Sequence, residues 1–238
     1  MSVHITGNSH VVCLRHAGDA LAEVGAAAFP LGNGKFESER FSRVESGRVV
    51  LDPEQYRTNV ERRTGAPTIG ADAVWGFLQI GHGARVWRDA TWLTHAPAAV
   101  AGADLQPVSA QVLTAIIERD QAGLRAFYED LLACGVRFFA IAAPAPRRDH
   151  PALVTRGIRP EVVAEIDRAA RRIWRSWLAE RGVPLVEAYD ASTDAEGFLH
   201  AHLGATSTPG GEPDRSHAND EYGRLLLPGI AEAVRSLG

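Results

Sequence analysis

The chain is poor in cysteine, in lysine, in charge of one sign and in long apolar runs. Its two cysteines, Cys13 and Cys134, are too few for the disulfide framework of a small secreted domain. Both fall in apolar helical patterns and read as buried free thiols, with a disulfide between them as the alternative. No uninterrupted apolar stretch nears the ~20 residues needed to cross a bilayer. No basic segment followed by a long apolar core opens the sequence, so a soluble cytoplasmic protein is expected. Basic residues number 25 and acidic residues 29, for a net charge of −4. That near balance argues against nucleic acid as the main partner. Lys35 is the single lysine among many arginines, a compositional bias that carries no functional reading. Neither a Gly-Lys-Ser/Thr phosphate loop nor a Gly-x-Gly-x-x-Gly run is present, so no nucleotide cofactor is expected. His200-Ala201-His202 could set two imidazoles on one face of a strand. No third ligand stands at a suitable spacing, so no metal is expected either.

What is present fits one large α/β domain over residues 1–238. Hydrophobic residues make up 45% of the chain, enough for a substantial core. Val3 to Thr6 reads as a short strand and His10 to Ala28 as a helix, with Ala26 to Leu31 open as a second strand. Arg48 to Leu51 reads as a small strand. Asp52-Pro53-Glu54 reads as a helix start with Asp52 at the cap, and that helix should stop at Gly65. Ala73 to Ile80 and Val136 to Ala143 are continuous apolar runs, the pattern of parallel strands buried on both faces. Gln106-Pro107 opens a long helical region, with Val112, Ile116, Leu124, Phe127 and Leu131 inward, ending at Gly135. Arg159-Pro160-Glu161 starts a helix whose stripe is Val162, Ile166, Ala169, Ile173 and Trp177. Pro184 to Tyr189 reads as a strand. Asn219 to Leu237 reads as a last helix, interrupted near Pro228. Strands alternating with helices imply a parallel sheet covered on both faces, with any site at the carboxyl ends of the strands.

Two short motifs stand at opposite ends of the chain. Gly7-Asn8-Ser9 follows the first strand, and Asp214-Arg215-Ser216-His217 precedes the last helix. A serine at a strand-to-helix turn and a histidine with a carboxylate three residues before it are the parts of a nucleophilic hydrolase. The hydroxyl needs a base to take its proton, and the base needs an orienting acid. Imidazole titrates near ~6.5 in general, which suits proton transfer around neutrality. Each residue also has a plainer reading. Ser9 could cap a helix, Asp214 could form a turn after Pro213, and His217 could be a surface loop residue. Asn219 reads as the cap of the last helix.

Together, Gly7-Asn8-Ser9 and Asp214-x-x-His217, with Asn219 and Tyr222-Gly223 behind the latter, resemble the first and last blocks of the SGNH (GDSL-like) hydrolases. Their order matches the family along nearly the whole chain. The resemblance implies a three-layer α/β/α sandwich of flavodoxin-like architecture around a central parallel sheet. It implies an ester hydrolase in which Ser9 is the nucleophile, His217 the general base and Asp214 its orienting acid, working without metal or cofactor. The family also supplies an oxyanion hole from the nucleophile's amide, a second-block glycine and a third-block Asn. Gly32 or Gly34 fits the second block. The third block should follow the strand ending at Ile80, and there the chain reads Gly81-His82-Gly83-Ala84, with no Asn. The His82 imidazole could donate in its place, or Asn33 or another loop could.

Trp87, Trp92 and His95 read either as an aromatic wall for an acyl or sugar group or as packing under a long loop. Arg147 and Arg148 read as a pocket rim or as solvated charges. The expected substrate is a small-molecule ester or an acylated carbohydrate. The same triad could instead transfer an acyl group to a sugar hydroxyl, or the fold could persist as a catalytically impaired binding module.

Overall fold

The computed structural model describes all residues except Met1, Val24, Asn33, Lys35, Phe36, Gly81–Gly83 and Pro209, and all side chains except these and those of His16, Ile80 and Ala84. Its centre is a five-stranded sheet of β1 (Val3–Gly7), β2 (Ala26–Pro30), β3 (Val74–Ile80), β4 (Arg137–Ala142) and β5 (Leu185–Val186), in the order β2-β1-β3-β4-β5. Every pairing in it is parallel. Side chains alternate across the sheet, as extended backbone requires. Trp75, Phe77 and Phe138 enter the core on one face, and Val74, Leu78, Phe139 and Ile141 enter the core on the other. Helices Glu54–Thr64, Ala122–Ala133 and Pro160–Ala179 cover the first face with Tyr56, Phe127, Tyr128 and Trp174. Helices Val12–His16, Gly18–Glu23 and Asp220–Leu237 cover the second with Leu14, Leu21, Tyr222 and Ile230. This is the three-layer α/β/α sandwich with the flavodoxin-like strand order. A third cluster around Trp87, Trp92, Leu113 and Phe198 packs the long loops onto the Pro160–Ala179 helix. A small antiparallel sheet of Ser42–Glu45, Arg48–Leu51 and Thr68–Ile69 lies beside the main one.

Glycine decides two close approaches that position the site. A Cβ on Gly7, at the end of β1, would lie 2.2 Å from the Leu78 carbonyl oxygen of β3. A Cβ on Gly223, in the last helix, would lie 2.3 Å from the Cys13 carbonyl oxygen of the Val12–His16 helix. The missing side chain therefore lets the helix behind His217 lie directly on the helix behind Ser9. Both chain ends lie at the opposite edge of the sheet. The Ser2 carbonyl accepts from Val74 N at the start of β3, and the Leu237 carbonyl accepts from the Arg137 side chain at the start of β4.

Several boundaries differ from the sequence expectations. The helix expected over residues 10–28 is a 3₁₀ turn, Ser9–Val11, and two short helices. Gly25, at φ +69°, turns the chain into β2. Gln106–Val108 is a strand paired with His95–Pro97, so the next helix begins only at Ala110, capped by the Ser109 side chain. With that start Val112 and Ile116 face solvent, and Leu113 and Ile117, one residue on, are buried. The expected single helix is also broken at Gln121. Pro53 takes the cap position expected of Asp52. Only Leu185–Val186 of the expected 184–189 strand pairs, and Tyr189–Ser192 is a helical turn. Pro228 does not interrupt the last helix. It lies on the exposed side, where water can satisfy the carbonyl its ring leaves unpaired. Cys13 is buried and Cys134 half-buried, both as free thiols.

Candidate active site

The carboxyl ends of the strands bring the two motifs together. Ser9 opens the 3₁₀ turn directly after β1, and its side chain is exposed. The cap of that turn is Asn8, whose side chain accepts from His10 N at 3.1 Å. Ser9 is thus relieved of the capping task, and its hydroxyl meets the histidine at the other end of the chain. Ser9 Oγ lies 2.8 Å from His217 Nε2. His217 Nδ1 lies 2.9 Å from Asp214 Oδ2. A carboxylate only accepts, so the ring proton sits on Nδ1 and Nε2 is left to accept from the Ser9 hydroxyl. The other Asp214 oxygen accepts from the amides of Ser216 at 2.9 Å and His217 at 3.0 Å. Burial works to raise the Asp214 pKa, but these two amides and the His217 ring outweigh it and hold the group below its ordinary value. Asp214 therefore stays ionised at neutral pH.

Three neighbours fix His217. Asn219 accepts from Tyr222 N at 3.2 Å and caps the last helix, as expected. Its side-chain amide donates to the His202 carbonyl at 2.7 Å. Arg147 donates to the carbonyls of Ala205 at 2.6 Å and His217 at 3.1 Å and pairs with Asp149. It clamps the segment that carries His217 to the loop after β4. His10 packs against the His217 ring, with centroids 4.8 Å apart. Burial, then the charges of His217 and Arg88, push the His10 pKa down to about 3. His10 therefore stays neutral beside the His217 ring.

Gly32 and Gly34, the second-block candidates, follow β2. A Cβ on Gly32 would overlap the Tyr56 ring at 2.1 Å, and one on Gly34 would come 3.0 Å from the Glu37 carboxyl. The Gly34 carbonyl accepts from Arg85 Nη1 at 2.8 Å, and Arg85 pairs with Asp120. This ties the turn after β2 to the loop after β3. Gly81 and His82 lie outside the described residues, as does Asn33.

The remaining candidates have other partners. Trp87 and Trp92 are buried in the third core cluster, and Trp92 Nε1 donates to the Val86 carbonyl. Trp92 also borders a pocket with Arg85, Thr91 and Asp120, and Trp87 packs edge-on against His150. Arg148 pairs with Asp194 and Glu196. His200 stands at the cap of a 3₁₀ turn, Ala201–Leu203, and His202 lies within it, so neither is on a strand, and their rings stack 5.7 Å apart. Among the described residues no group of three or more His, Cys, Asp or Glu could hold a metal. Sequence reasoning missed His10, Glu37 and Arg85, named Asn8 only as part of the first block, and left Arg147 open between a pocket rim and a solvated charge. Only Asn8, a strong capping residue at a strand end, carried a local signal.

No protein-family model and no curated protein matches this sequence. Solved structures do match it. A GDSL-like lipase from Bacteroides thetaiotaomicron gives a TM-score of 0.53 at 12% identity, over 99% of this chain and 88% of its own. The M. smegmatis aryl esterase in an inhibitor-bound form gives 0.51 at 12% identity, over the whole of both chains. With its strand order and its layers, this chain has the fold of the GDSL-like, or SGNH, hydrolases.

Proposed function

We propose that the protein is a serine-dependent ester hydrolase acting through an acyl-serine intermediate. The observation that carries this reading is the unbroken line Asp214–His217–Ser9, both links within hydrogen-bonding reach. Ser9 Oγ attacks the ester carbonyl carbon as its proton passes to His217 Nε2, and the carbonyl π electrons move to oxygen. The Ser9 amide and an amide of the Gly32–Gly34 turn stabilise that oxyanion. Collapse expels the alcohol, which leaves with the proton from Nε2. Water then attacks the acyl group, giving its proton to Nε2, and the second collapse returns that proton to Ser9 Oγ and releases the acid. Asp214 holds the ring tautomer and stabilises the imidazolium in both halves. Nothing in these steps calls on a cofactor. The substrate is a small-molecule ester, acylated carbohydrates included.

A fluorophosphonate probe tests the reading, because it reacts only with an activated serine. Wild-type protein should take the label and cleave p-nitrophenyl acetate. Ser9→Ala and His217→Ala should lose both. A folded wild-type protein that takes no label would sink the proposal.

A further inference from the structure

Glu37 is a buried carboxyl group that the reaction above leaves without a task. It is 8% exposed and sits in the turn-rich segment after β2. Burying a carboxyl group there is unfavourable, and a polar group kept in such a place needs a partner. Its Oε1 accepts from Asn8 Nδ2 at 3.2 Å. The Oδ1 of the same Asn8 accepts from His10 N and shapes the turn that presents Ser9. On its other side the Glu37 carboxyl lies directly against Gly34, and the Glu37 amide donates to the Gly34 carbonyl at 3.3 Å. The Glu37 carbonyl accepts from Leu124 N at 3.0 Å, which fixes its backbone to the Ala122–Ala133 helix. Burial pushes the carboxyl pKa up to about 7, against Arg85 and the Asn8 donor, which lower it, with Asp120 raising it further.

We propose that Glu37 is a positioning residue of the hydrolytic site. Its carboxyl locks the Asn8 amide, and through it holds the Ser9 turn at a fixed distance from the Gly34 turn. The nucleophile and the oxyanion wall are thereby kept as one unit. An Asn8 amide without this acceptor could rotate away from His10 N and take the turn with it. This inference rests on Ser9 being the nucleophile. A misplacement near 1 Å at a reacting group can lower the rate about 10²-fold, so the effect should appear in kcat and not in KM.

The test is a mutant cycle on p-nitrophenyl acetate hydrolysis, with fluorophosphonate labelling in parallel. Glu37→Ala and Asn8→Ala should each lower kcat by ~10- to 10²-fold with KM little changed. The double variant should be no worse than the poorer single one. Glu37→Gln, which keeps an acceptor oxygen in place, should recover most of the loss. If Glu37→Ala does not fold, Asn8→Asp at pH 8 serves instead. It sets two carboxylates against each other and should lose activity that adding Glu37→Gln restores. Losses that multiply in the double variant, a Glu37→Gln no better than Glu37→Ala, or an Asn8→Asp indifferent to residue 37 would overturn the inference. A wild-type protein that neither takes label nor cleaves the ester would overturn the hydrolase reading and this one with it. Normal turnover in Glu37→Ala would overturn this one alone.

Discussion

Asp214 spends one oxygen on two backbone amides and the other on the His217 ring. The amides keep the carboxylate ionised and aimed, and the single remaining oxygen sets the tautomer. Asp214→Asn would leave the shape intact but could present an N–H to Nδ1, which reverses the ring proton. The expected outcome is a fall in kcat on the order of 10³–10⁴-fold in steady-state hydrolysis, with thermal stability little altered. The meeting of Ser9 with His217 is legible in the sequence, because a nucleophile, base and acid come from a small set of residue types at short local spacings. The surroundings are not legible in the same way. Glu37 lies in a polar turn whose composition looks solvated, and only the fold reveals that its carboxyl is inside. Arg147 likewise reads as a pocket rim or a solvated charge until the Ala205 and His217 carbonyls are seen to converge on it.

At the scale of elements, the contact between the last helix and the Val12–His16 helix lies behind the meeting of His217 with Ser9. Gly223 lets the backbones meet, and an added methyl would fall 2.3 Å from the Cys13 carbonyl oxygen. Gly223→Ala must push the two helices apart. It should destabilise the protein by about 1–3 kcal/mol, the usual range for overpacking, as read by urea unfolding. Activity should fall further than the folded fraction does, because the displaced helix begins three residues after His217. The long apolar strands β3 and β4 and the amphipathic Pro160–Ala179 helix are readable from pattern, since length and periodicity agree there. The stretch from 106 to 121 is not, whereas Leu124, Phe127 and Leu131 beyond it are buried as the spacing predicts. Its helical pattern contains a short strand at Gln106–Val108, because pairing with His95–Pro97 outweighs local preference. The one-residue offset of its inward face follows from where Ser109 caps, which the apolar spacing alone did not fix.

The whole molecule carries buried histidines, and their protonation links folding to pH. Burial leads in pushing His10 to about 3 and His150 to about 4, with the Arg88 charge acting in the same direction on both. In the unfolded chain both bind protons near ~6.5, so between pH 6.5 and about 4 the unfolded state holds more protons than the folded one. Stability must then decline as pH falls through that window. Melting temperatures measured from pH 7.5 to 4.5 should drop steadily below 6.5. His150 caps a short helix through Nδ1 to Ala152 N at 3.0 Å. His150→Asn should keep a capping acceptor there and flatten part of the slope. Glu37 works in the opposite sense. Its folded pKa of about 7 lies above the unfolded value, so it contributes a loss of stability as pH rises from ~4.5 to 7. The sheet's polarity has a practical consequence as well. Ser2 and Leu237 sit at the amino-terminal edge of the strands, while Ser9 and His217 meet at the far edge. A purification tag, a fused partner or a bead linker attached at either end would project away from the edge where Ser9 meets His217, so immobilised protein should keep the turnover of the free form.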